Sequence, residues 1–116
     1  MQYHGNCHCG IVQYEVELDL SQPVMECNCS HCQIKGFLLS FSSKENFKLL
    51  SWEENLSEYR FNSNKLSHLF CKVCGVQCFA FGISPDGVDT AAVNVRTLEN
   101  RNISDLVRFT YDGRSV

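Results

Sequence analysis

Seven of the eight cysteines in this chain fall into three tight clusters: Cys7-His8-Cys9, Cys27-Asn28-Cys29-Ser30-His31-Cys32 and Cys71-Lys72-Val73-Cys74. A division of two, three and two thiols restricts the chemistry available. A closed structural zinc site takes four protein ligands, whereas a working zinc site takes three and keeps one position open. The two outer pairs together supply the first kind, and the middle cluster supplies the second. The sequence therefore points to two zinc ions per chain, one holding the fold together and one suited to chemistry.

Neither outer pair completes a site alone. Cys71 and Cys74, followed by Gly75, have the form of a knuckle that turns both sulfurs toward one ion, and Cys7 and Cys9, followed by Gly10, make a tighter version. Sharing one zinc closes a loop of roughly 60 residues. By analogy with a disulfide that constraint stabilises by about 4 kcal/mol, which matters for a small β-domain. Two other readings compete. Metal-free redox pairs of this spacing belong before a helix in an α/β pattern, which is absent here. An iron–sulfur cluster takes four thiolates equally well.

Three thiolates on one zinc leave a complex of net charge −1, a poor Lewis acid for making hydroxide. Such a site is better suited to holding a substrate thiol as a nucleophilic thiolate. A fourth protein ligand would instead close the site and make it structural. Cys78 is the first candidate, followed by His31, His8 and His68. Cys78 lies in the strand-like stretch Gln77-Cys78-Phe79-Ala80-Phe81, where a buried cysteine as small apolar filler is the plainer reading.

At 116 residues the chain is expected to form one domain, residues 1–116, with a single core. The net charge is −3 with the thiols neutral. It moves to about −6 with seven thiolates on two zinc ions. The ten Lys and Arg are scattered, which argues against a nucleic-acid partner. No apolar run approaches the length of a membrane span. The opening residues have neither the basic nor the apolar region of a signal peptide, and eight cysteines without an export signal point to metal rather than disulfides. The compartment expected is the cytoplasm, or the nucleus. The oligomeric state is not legible.

Most of the chain has a period of two. Val12, Tyr14, Val16 and Leu18 alternate with polar residues, the signature of a half-buried strand. Further strands are expected over residues 37–42, 48–51, 57–61, 66–70 and 106–111. A hairpin is expected from 77–83 to 88–95 across Ser84-Pro85-Asp86-Gly87. One-turn helices are expected at residues 30–33, capped by Ser30 and stopped by Gly36, and at 43–47. Trp52, with Leu49, Leu50 and Leu56, reads as core, with a contact patch or substrate wall as the alternative. The class is mainly β with short helical turns.

Gly5-Asn6-Cys7-His8-Cys9-Gly10, then the middle cluster, then Phe70-Cys71-Lys72-Val73-Cys74-Gly75 resembles the glutathione-dependent formaldehyde-activating enzyme family, which includes the centromere protein V-like domain. The resemblance runs from about residue 3 to residue 98, and Gly36, Arg60 and Asn94-Val95-Arg96-Thr97-Leu98 add to it. It implies a zinc-stapled β-tent of small antiparallel sheets. It also implies a structural zinc on Cys7, Cys9, Cys71 and Cys74 and a catalytic zinc on Cys27, Cys29 and Cys32. The activity implied is that of a carbon–sulfur lyase joining or releasing a glutathione-type thiol and a small aldehyde. The alternative is a non-catalytic zinc module that binds a protein. Residues 95–113 depart from the enzyme pattern toward the centromere protein V-like branch. A negatively charged thiol needs a local cation, for which Arg60, Lys35 and Arg96 are candidates, each otherwise ordinary solvated surface.

Overall fold

The alternation at residues 12–18 builds strand β2 (Gln13–Glu17), which turns Tyr14 and Val16 into the core, with Val12 and Leu18 buried at either end. The computed structural model describes residues 1–60, 66–99 and 102–115. β2 lies between β1 (Gln2–Asn6) and β5 (Phe47–Leu49), antiparallel to both, in a three-stranded sheet. β1 has no apolar alternation to betray it. It is held by its ladder to β2 and by Gly5, which lies opposite Tyr14; a Cβ there would come within 2.3 Å of the Tyr14 phenol.

The second sheet runs β10-β3-β4-β9-β8-β7-β6, with β3 (Val24–Cys27), β4 (Leu39–Ser43), β6 (Leu56–Tyr59), β7 (Ser67–Cys71), β8 (Phe79–Ile83), β9 (Asp89–Asn94) and β10 (Arg108–Tyr111). The expected hairpin is β8–β9: the Gly87 amide donates to the Ser84 carbonyl at 2.9 Å, with Gly87 at φ 85°. β3 meets β4 through one pair, Met25 opposite Leu39, so β3 and β10 form a small ribbon at the sheet's edge. That ribbon is parallel, the exception to the expected antiparallel pairing, because the chain crosses the molecule before re-entering beside β3. The mainly β class holds. The core draws Tyr14 and Val16 from the first sheet and Val24, Phe79 and Val93 from the second, with Phe47 stacked on Tyr14 at 5.5 Å and edge-on to Phe79 at 4.6 Å.

Several boundaries shift. The strand expected over residues 57–61 is β6, ending at Tyr59; Phe61 lies outside the described residues. The second helical turn is a 3-10 turn at Lys44–Asn46. The first is α1 (Ser30–Lys35), stopped by Gly36 in the left-handed conformation at φ 70° as expected. Its cap is Cys29, not Ser30: the Cys29 sulfur accepts the Cys32 amide and takes the role a hydroxyl usually fills. Trp52 corrects the core reading, being 75% exposed. It precedes the 3-10 turn Glu53–Asn55 in the β5–β6 connection, outside the alternation that turns Leu49 and Leu56 onto the core.

Candidate metal centres

Cys7 and Cys9 lie in the β1–β2 connection, Cys71 ends β7, and Cys74 lies in the turn after it. The two turns are built alike. The Cys7 amide donates to the Val12 carbonyl and the Cys71 amide to the Val76 carbonyl, each at 3.0 Å. The amides of Gly10 and Gly75 donate back to the Cys7 and Cys71 carbonyls, and both glycines have positive φ. Each knuckle thus turns its sulfurs to one side and aims amides at them, Val12 at Cys7 and both Val73 and Cys74 at Cys71. The four sulfurs lie within 4.8 Å of one another, with Cys7 to Cys9 and Cys9 to Cys71 both 3.6 Å. Zn–S bonds of about 2.3 Å in a tetrahedron place sulfurs about 3.8 Å apart. All eight cysteines are free thiols. The donor set and spacing fit a metal ion.

Cys9 and Cys74 are shifted in opposite directions. Burial opposes ionisation of Cys74, but the amides of Val76 and Cys9 and the neighbouring thiols pull it down to about 6. Cys9 accepts from the Ile11 amide, yet burial and three thiol neighbours push it up to about 11. Cys78 lies behind this group, buried in the core, its thiol pushed up to about 12 by desolvation. It joins neither cysteine group, as its reading as core filler required.

The middle cluster is gathered within six residues of chain. Cys27 ends β3, Cys29 caps α1 and Cys32 lies within it, and their sulfurs lie within 4.8 Å of one another. All three are half-buried. Burial alone would raise Cys29, but the Cys32 amide and thiol, the Cys27 thiol and the His31 amide lower it. Burial raises Cys32. Among the described residues no fourth His, Cys, Asp or Glu donor joins this group. The set fits a three-coordinate ion with one open position.

The histidines named as possible ligands do not join the group. His8 is exposed. His31, on α1, stacks on Tyr59 at 5.6 Å and meets His68 at 4.1 Å and Phe37 at 5.7 Å, forming an aromatic cluster. His68 is buried with its Nδ1 3.1 Å from Gln77 Nε2, and desolvation together with His31 and Lys35 pulls it down to about 4. The cationic candidates are also engaged. Arg60 is paired with Glu58 at 3.1 Å, Arg96 Nε donates to the Gly36 carbonyl at 2.9 Å, and Lys35 Nζ lies 5.6 Å from the Phe70 ring. A concavity of about 660 Å³ is lined by Leu56, Glu58, Arg60, Phe81 and Asp89 among others, with no cysteine among its lining residues.

Sequence reasoning missed the segment that follows β10. The strand expected over residues 106–111 leaves Asp112-Gly113 without a role, but the structure lays Gly113 against the middle cluster. A Cβ on Gly113 would be 2.6 Å from Cys27 Sγ and 3.2 Å from Cys29 Cβ. Asn28 fastens the segment: its Nδ2 donates to Asp112 Oδ1 and its Oδ1 accepts the Arg114 amide, both at 2.9 Å.

The sequence model of the family described as glutathione-dependent formaldehyde-activating enzyme matches residues 2–109. A crystal structure of a Rhodobacter sphaeroides protein, solved as a structural-genomics target, superposes with a TM-score of 0.81 at 30% identity, covering 92% of this chain and 97% of that one.

Proposed function

The chain belongs to the glutathione-dependent formaldehyde-activating enzyme family, and from that premise we propose that it is a zinc-dependent carbon–sulfur lyase acting on a thiol–aldehyde adduct. Cys7, Cys9, Cys71 and Cys74 hold a structural zinc, and Cys27, Cys29 and Cys32 hold the catalytic one. The observation that carries this reading is the contrast in donor number: four sulfurs in one group, three in the other with no further donor beside them among the described residues. A zinc ion in the second group supplies acidification of a fourth, incoming thiol at neutral pH.

In the synthetic direction the thiol loses its proton to solvent, and its sulfur attacks the aldehyde carbon. One C–S bond forms, the C=O π pair moves to oxygen, and that oxygen takes a proton from solvent, giving an S-hydroxyalkyl adduct. The lyase direction reverses each step. The chain's own part is positional. Cys29 serves twice, as metal donor and as the cap of the helix that carries Cys32, so the donor spacing is fixed by backbone. The His31, Phe37, Tyr59 and His68 rings give the neighbourhood a face that keeps its shape.

The test is turnover by anaerobically purified, zinc-replete protein with glutathione and formaldehyde, following adduct formation by NMR exchange. Exchange faster than the uncatalysed reaction, lost in Cys29→Ser, is expected. Wild-type protein with two zinc ions and no acceleration with any small thiol overturns the enzyme reading in favour of the non-catalytic module.

A further inference from the structure

The segment over the middle cluster lies largely beyond the stretch that matches the family model, which ends at residue 109. β10 runs parallel to β3 in register, Arg108 opposite Val24 through Tyr111 opposite Cys27, so its last residue arrives beside the first thiol of the cluster. The Asn28 amide donates to the Tyr111 carbonyl at 3.1 Å, and the Asn28 side chain bridges Asp112 and the Arg114 amide. Gly113 then touches Cys27 and Cys29 with bare backbone. Its φ is not in the left-handed region, so close approach rather than conformation is what glycine permits here.

One residue on, the Arg114 side chain crosses to α1, where its guanidinium donates to Gln33 Oε1, next in sequence to Cys32. Arg114 therefore lies between two parts of the group: its backbone neighbour Gly113 abuts Cys27, and its head group reaches Gln33, the residue after Cys32. Both Arg114 and Gln33 are exposed. Arg60 and Arg108 are paired with Glu58 and Glu26, but among the described residues no carboxylate lies within ion-pair distance of Arg114. The nearby Asp112 is turned to Asn28 and Ser115, and its carboxyl is held below the usual range by them and by Arg114. The guanidinium thus has a neutral amide as its partner. Exchanging that amide for a carboxylate turns a neutral acceptor into a charge-assisted and bidentate one.

We propose that residues 111–115 form the selectivity wall of the Cys27/Cys29/Cys32 site, in which Arg114 binds a carboxylate of the incoming thiol. This rests on the thiol-site reading above and adds the residue that sets its specificity: Arg114 is what favours a carboxylate-bearing thiol over a neutral one. Gly113 sets the wall's distance from the sulfurs, and Asn28 ties the wall to the loop that carries them.

Calorimetric titration of zinc-loaded protein with glutathione and with 2-mercaptoethanol tests this without relying on turnover. Wild type is expected to bind glutathione more tightly. Arg114→Gln, at an exposed position, is expected to lower glutathione affinity about tenfold relative to 2-mercaptoethanol, the loss of one solvent-exposed charge-assisted contact. Arg114→Lys is expected to recover part of that preference. Zinc content and circular dichroism report whether the variants remain loaded and folded. Wild type that binds both thiols with a preference unmoved by Arg114→Gln overturns the wall and leaves the thiol site standing. Wild type that binds neither thiol overturns the thiol site itself, and the wall with it.

Discussion

The two cysteine groups use the same side chain for opposite purposes. The four-sulfur group joins segments far apart in the chain: Cys9 and Cys71 are 62 residues apart, and between them run β2 to β6 and most of β7. The three-sulfur group joins a strand end to the helical turn that follows it. One constrains the whole fold and the other constrains a local bend, so removing a ligand has a global consequence in the first and a local one in the second. Burial follows the same division. Cys7 and Cys71 are part of the core cluster, whereas Cys27, Cys29 and Cys32 are all half-exposed.

The sharpest way to break this contrast is Cys71→Ser. With a zinc in the first group, closure of its long loop is worth about 4 kcal/mol, a large share of the stability of a domain this size. Cys71→Ser is expected to lose its cooperative melting transition at 37 °C, measured by circular dichroism; a melting curve like that of wild type would show that the group does not staple the fold.

Gly5→Ala sharpens the contrast from the other side, destabilising the fold without touching a cysteine. The new methyl meets the Tyr14 phenol, which cannot retreat because its ring packs on Phe47 and Phe79 and its hydroxyl lies 2.6 Å from Thr97 Oγ1. Overpacking of this kind costs about 1–3 kcal/mol. Lower stability in urea with two metal ions retained is expected; loss of the second ion alone would tie that site to global stability.

Acid provides a third probe. Desolvation lowers His68 from 6.5 to about 4, so it folds neutral. Below 6.5 the unfolded chain takes up the proton first, and stability falls as the pH drops toward 4; above 6.5 this group contributes no pH dependence. Metal loss by thiolate protonation adds to the same decline in every variant. His68→Gln is therefore expected to show a shallower fall than wild type between pH 6.5 and 4, and equal slopes would remove His68 as a cause. The smallest effect belongs to Trp52→Ser, expected to change stability by under about 0.5 kcal/mol because the ring is largely in water.

The site was more legible than the sheets around it. Thiols at metal-ligand spacing carry their partnership in the sequence, since two pairs and a triplet have few ways to combine. β2 was legible for a similar reason, its alternation surviving as buried and exposed faces. β1 was not, because Gln-Tyr-His-Gly-Asn has no apolar period and becomes a strand only through its neighbour. Cys29 as a cap was hidden because capping is read from Ser, Thr, Asp and Asn, and Ser30 stood next to it. Trp52 misled because a large apolar ring among leucines reads as core, while its position before a turn decides its exposure. The wall at residues 111–115 was invisible for the plainest reason. Its approach to Cys27 depends on a parallel pairing between strands some 80 residues apart, which no local pattern encodes.

The most direct test of the division between a closed and an open centre is metal stoichiometry, with a melting curve, on anaerobically purified wild type and Cys29→Ser. Serine keeps an oxygen at the cap of α1, so the fold has no local reason to fail. Two zinc ions per chain in wild type, falling to one in a Cys29→Ser variant that melts within a few degrees of it, is the expected result. One ion in both proteins, or a Cys29→Ser variant that unfolds, would contradict the account.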